Sequence, residues 1–174
     1  MRPQTDRLLI TAMTAEQINS VRDSYAGLES RAELLALLFY KRLFELAPEL
    51  QPLFRGDIEA QAQKFTQVLE MSVLLVDSPD LLVPTLESLG RRHAVYGVRD
   101  EHYGIIGQAL LWSLSEALGT ELSPQAHSAW AVFYQHLAAT MQNGTVLGEA
   151  WHQAAAHPGN RINATGQGSM NRPG

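Results

Sequence analysis

From Thr14 to Gly144 the apolar residues of this chain recur every three or four positions, and no stretch alternates apolar with polar. That pattern leaves helices packed on helices. Thr14 reads as an N-cap and Gln17 completes a capping box, with Ile18, Val21 and Tyr25 following at helical spacing. Ser30 opens the next segment, whose apolar side is broad: Leu34, Leu35, Leu37, Leu38, Leu43, Phe44 and Leu46. Pro48 leads a short turn to Phe54, and Arg55-Gly56-Asp57 forms a corner. Phe65, Val68, Leu69, Ser72, Val73 and Val76 place a helix from Ile58 to about Val76. The next spans about Leu81 to His93, and Tyr96-Gly97-Val98 is a turn. A further helix is predicted from Asp100 to Leu118, with Gly119 as its C-cap. Ser123-Pro124 opens the last, as N-cap and first helical residue. It is expected to end at about Asn143-Gly144, with Leu147 to Ala156 as one more short helix. The reading is all-α, with six or more helices. Residues 1–13 read as an N-terminal arm, 14–144 as the folded domain and 145–174 as a mostly disordered C-terminal tail, glycine-rich from 159 onward.

A chain of 174 residues suits one domain with a tail. Its net charge of -5 and scattered basic residues argue against nucleic acid. Without cysteine there is no disulfide, no thiolate metal site and no cysteine nucleophile. No run approaches the roughly 18 apolar residues of a membrane span. The N-terminus lacks the apolar core of a signal peptide, so a cytoplasmic location is expected.

The stretch Leu89-Gly90-Arg91-Arg92-His93 sets a histidine at a helix end beside a glycine turn. Such a histidine either only bonds its own last carbonyls, favoured by the helix dipole, or offers one ring nitrogen to a metal while the other bonds a backbone carbonyl or side chain. His102, His127, His136, His152 and His157 have no companion at metal-ligand spacing; surface is the default reading for all five, with His102, next to the His93 turn, also a candidate to approach a bound group. Met71, Met141, Trp112 and Trp130 are read as core.

Several motifs follow one another in order: Leu38-Phe39-Tyr40, Leu53-Phe54, Gln61-Ala62-Gln63-Lys64-Phe65, Gln67-Val68-Leu69 and Val83-Pro84-Thr85-Leu86. The stretch ending at His93, then Tyr96-Gly97-Val98 and His102-Tyr103, complete the set. On these residues the chain resembles the globins, most of all single-domain bacterial haemoglobins of the flavohaemoglobin lineage and, around Leu82–Gly97, neuroglobin. The resemblance implies a three-over-three helical sandwich around haem b. It implies that His93 is the proximal iron ligand, and that Tyr40 and Gln61 are the distal polar pair. Phe54 would wedge against the porphyrin face. Phe65, larger than usual for its place, would narrow the distal pocket. Lys64 and Arg92 would approach the propionates, Val98 the porphyrin edge, and Tyr103 would lie on the proximal side. Gln63 replaces Gln61 if the alignment slips by two residues, but Gln61 places Phe65 one turn on, facing the same pocket.

The implied function is reversible binding of dioxygen and other diatomic ligands such as nitric oxide and carbon monoxide. Tyr40 and Gln61 would donate hydrogen bonds worth on the order of 1 kcal/mol each in a dry pocket. Nitric oxide dioxygenation is the related enzymatic reading. It needs an external reductase, since no flavin or nicotinamide fingerprint is present. A gas sensor and a haem-less interaction module are the alternatives, and a monomer or weak homodimer is expected. The chain departs from the flavohaemoglobin pattern late in the last helix. Gly144 or Thr145 stands where a glutamate would bond the proximal histidine, and Glu149 lies too far along, which argues against peroxidase-like chemistry.

Overall fold

The computed structural model describes residues 13–156, with side chains through Val146. The expected arm, apart from the buried Met13, and the expected tail beyond 156 lie outside the described residues. Among the described residues six α-helices follow in order: α1 Ala15–Ala26, α2 Ala32–Leu46, α3 Ile58–Leu74, α4 Pro79–Val95, α5 Asp100–Leu118 and α6 Pro124–Ala156. Short 3-10 turns lie at Glu29–Arg31, Pro48–Leu53 and Gly119–Glu121.

The local causes are those the residue types supply. Thr14 caps α1: its hydroxyl accepts from the Gln17 N–H, and the Gln17 side chain accepts from the Thr14 N–H. Asp57 caps α3 by accepting from the Glu59 N–H at 2.9 Å. Pro79 opens α4, where its missing N–H has no helical partner to lose. Ser123 caps α6, accepting from the Ala126 N–H at 3.1 Å.

The helices form two layers. Helix α2 packs on α5, and α5 on α6. Across from them α1 crosses α6, α3 crosses α2, and α4 crosses α6. This is the three-over-three sandwich. The core between the layers holds Leu35, Leu43, Leu86, Leu114, Phe133 and the wholly buried Trp130. The Trp130 indole N–H donates to the Ser24 hydroxyl at 2.8 Å, tying α6 to α1.

Two expectations are corrected. The last helix does not stop at Asn143-Gly144 but runs unbroken to Ala156. Gly144 is buried against α4, so its missing side chain serves a helix crossing rather than a helix end. His102, read as a surface residue, is buried: its Nδ1 accepts from the Arg99 N–H at 3.0 Å and caps the start of α5. The cap satisfies a helix-terminal N–H, which lets a polar ring enter the interior.

Candidate functional site

His93 lies in the last turn of α4 and is half-buried. Its Nδ1 lies 2.8 Å from the Leu89 carbonyl oxygen. A carbonyl only accepts, so Nδ1 carries the proton and Nε2 keeps a lone pair. Nε2 has no hydrogen-bond partner among the described residues. Burial pushes the imidazole below its ordinary value of 6.5; the Leu89 bond opposes this and the neighbouring Arg92 charge adds to it. The ring is therefore a neutral, oriented nitrogen donor.

The backbone around it is fixed by a Schellman cap. The Val98 N–H donates to the His93 carbonyl, and the Gly97 N–H donates to Ala94. The turn needs Gly97, whose φ is +98°. A Cβ there would stand 3.3 Å from Leu53, so the cap also seats the α4–α5 corner against the Pro48–Leu53 turn. Val98, next in the chain, is half-buried.

The second part of the site comes from α2, the turn after it and α3. Tyr40 is buried on α2, and its hydroxyl donates to the Gln61 backbone carbonyl at 3.3 Å. Burial pushes the phenol up to about 12, so it remains a donor at neutral pH. Around Tyr40 stand Phe39, Phe44, Phe54 and Phe65, with ring centroids 5.1, 5.9, 5.3 and 6.1 Å away. Phe39 and Phe65 stack at 4.2 Å with their planes 10° apart. The aromatic contact is worth on the order of 1 kcal/mol beyond the area it buries. Gln61, whose backbone carbonyl meets Tyr40, is half-buried and Gln63 is exposed.

The structure thus brings Tyr40, Gln61, Phe54 and Phe65 together. Lys64 and Arg92 lie exposed on α3 and α4, and neither makes an ion pair among the described residues. Arg91 and Arg92 border a surface cleft with Ser88, Val95 and Tyr96. Tyr103 is buried on α5; burial, with Asp100 adding, pushes its phenol up to about 12. Its backbone carbonyl accepts from the Tyr134 hydroxyl at 2.5 Å. Sequence reasoning gave no role to Phe39 and Phe44, although Phe39 adjoins Tyr40 and both lie on its helix. It also missed the close contact of Gly90 with α6. The apolar run of α2 carries the first signal; for Gly90 the only signal is a glycine inside a helix.

The globin profile matches residues 37–141, more than half of the chain. The chain belongs to the globin family.

The flavohemoprotein of Chromobacterium violaceum is 36% identical over 134 residues, covering 74% of this globin and 33% of that protein. This globin therefore spans about a third of the flavohemoproteins it matches. The anaerobic nitrite reductase NSHB5 of Oryza sativa subsp. indica is 30% identical over 126 residues, covering 68% of this globin and 86% of that protein. Among solved structures, an engineered carbene transferase from Rhodothermus marinus superposes with a TM-score of 0.74 at 24% identity, covering 82% of this globin and 99% of that chain. A hexacoordinated heme protein from an anhydrobiotic tardigrade gives 0.72 at 18% identity, covering 78% and 96%. At these identities the two structures speak for the fold alone.

Proposed function

We propose that this globin holds haem b through His93 Nε2 and binds dioxygen, nitric oxide and carbon monoxide between the iron and the Tyr40–Gln61 pair. The observation that carries the reading is the His93–Leu89 bond. It fixes a neutral imidazole with its second nitrogen unpaired, which is the donor a haem iron takes. The aromatic residues around Tyr40 supply an apolar wall with one phenol donor in it, which suits a flat apolar ring with a small polar ligand on its face.

Haem supplies a redox-active iron with an open coordination position. The protein's own residues do the rest. His93 would hold the group through Nε2 while its Nδ1–H stays on Leu89. Tyr40 holds its hydroxyl only loosely, through a long 3.3 Å bond, and so has a proton to turn towards a ligand. Gln61 offers its amide from the neighbouring helix. Phe54 and Phe65 keep water out. Lys64, Arg92 and Val98 would meet the propionates and rim of the ring, and Tyr103 would stand behind His93.

Similarity to the globin third of several flavohemoproteins favours an enzymatic extension. In it, nitric oxide and dioxygen give nitrate, and an external reductase returns the one electron spent.

Absorption spectra test the reading: ferric, reduced, and reduced with oxygen, for wild type and His93→Ala. A Soret band that shifts at each step, and is lost or altered in the variant, is expected. No haem band after hemin is added would overturn the assignment and leave a helical interaction module.

A further inference from the structure

Helices α4 and α6 meet backbone to backbone, and glycines make this possible. A Cβ on Gly90 would overlap the Met141 carbonyl oxygen and lie 2.6 Å from its carbon. A Cβ on Gly144 would lie 2.5 Å from the Glu87 Cα and 2.7 Å from its carbonyl carbon. Cβ atoms do not sit this close to backbone, so any side chain at either position forces the helices apart. The two contacts are reciprocal and one turn apart on each helix: Glu87 and Gly90 on α4, Met141 and Gly144 on α6. One contact would leave a pivot. Two fix both the rotation of α4 and its height along α6.

The anchors of the imidazole all lie on the segment so pinned. His93 is three residues beyond Gly90, and Leu89, which holds its Nδ1–H, directly precedes Gly90. The His93 carbonyl carries the cap that ends α4. The Thr145 hydroxyl lies 3.4 Å from the Gly90 carbonyl and 3.5 Å from that of Met141, a long bridge across the same crossing.

We propose that Gly90 and Gly144 are positioning residues for His93. The crossing they permit sets the height and tilt of the imidazole relative to Tyr40 and Gln61. The proposal rests on His93 as the iron ligand, and its test separates the two.

The iron–histidine stretching band of the ferrous protein, read by resonance Raman, reports the strength and tilt of that bond. It should move in Gly144→Ala and in Gly90→Ala at unchanged helix content. A folded, haem-loaded Gly144→Ala with the wild-type band overturns the proposal. Should the alanine variants not fold, Thr145→Val and Thr145→Ser decide. A shift in the valine variant that serine reverses supports the crossing as the positioning element; a valine variant with the wild-type band overturns it. A wild-type protein with no iron–histidine band and a haem spectrum that His93→Ala leaves unchanged refutes the ligand assignment itself. The crossing is then read in the haem-free chain, as faster amide exchange at His93 and Ala94 in Gly144→Ala; equal rates overturn it.

Discussion

Tyr40 combines two properties that pull against each other in water. It is buried among aromatic rings, yet it carries a hydroxyl that must find a partner. The Gln61 carbonyl supplies that partner at a distance too long to bind tightly, so exchange for a ligand costs little. Replacing Tyr40 with Phe should speed dioxygen release by an order of magnitude or more, the equivalent of losing over about 1.4 kcal/mol. Stopped-flow displacement by carbon monoxide would measure it, and an unchanged off-rate would leave Gln61 as the sole donor. His136, half-buried on α6, gives a second residue-level prediction. Burial lowers its value below 6.5 in the folded chain, so the unfolded chain takes up a proton first as pH falls. Stability is unaffected well above that value and drops as pH falls through it. The urea midpoint of haem-free protein should fall between about pH 8 and about pH 5.5, and less so in His136→Gln. His93 acts in the same direction in both proteins, so it cancels in the comparison. At this scale a residue's neighbours in the chain help to define its face. The preference for Gln61 over Gln63 rests on Phe65 lying one turn away. His102 could not be placed, since its burial depends on a bond to the Arg99 backbone that no apolar pattern announces.

Helix α3 carries Gln61 in its first turn, immediately where fraying is greatest. The turn is held by Asp57 twice: the carboxylate accepts from the Glu59 N–H, and the backbone carbonyl accepts from the Gln61 N–H at 3.1 Å. Asp57→Ala should cost about 1 kcal/mol of stability through the lost cap. It should also raise the ligand off-rate, because the amide of Gln61 is then displayed from a looser turn. Denaturation and stopped flow on the same variant check both; a destabilised variant with unchanged off-rate would detach Gln61 from ligand binding. The helices were legible because their apolar spacing, caps and prolines agree. The bounds of α5 match the expectation, and α1 carries the expected capping box. The end of α6 was not legible. Glycine marks a helix end or a close crossing with the same letter, and only the backbone of Glu87 against Gly144 tells which.

The site draws its side chains from α2, the turn at Pro48–Leu53 and its successor Phe54, α3 and α4, elements that belong to different layers. The aromatic residues join three of these pieces to one another, through Tyr40, Phe54 and Phe65. His93 lies on the fourth, which is held chiefly by α6. A haem seated between His93 and the aromatic wall would contact both sides at once, and so would be present only in the folded arrangement. A ligand that binds the native chain and not the unfolded one stabilises it in proportion to the logarithm of its concentration over its dissociation constant. At a hundredfold excess this amounts to about 2.7 kcal/mol. Hemin should therefore raise the melting temperature of the whole chain, and raise it further as its concentration increases. In His93→Ala most of that rise should vanish, because stacking remains but the bond from α4 is gone. Circular dichroism melts over a hemin series read the effect. A wild-type melt indifferent to hemin would mean that the imidazole and the aromatic wall do not share a ligand, whatever their separate geometry.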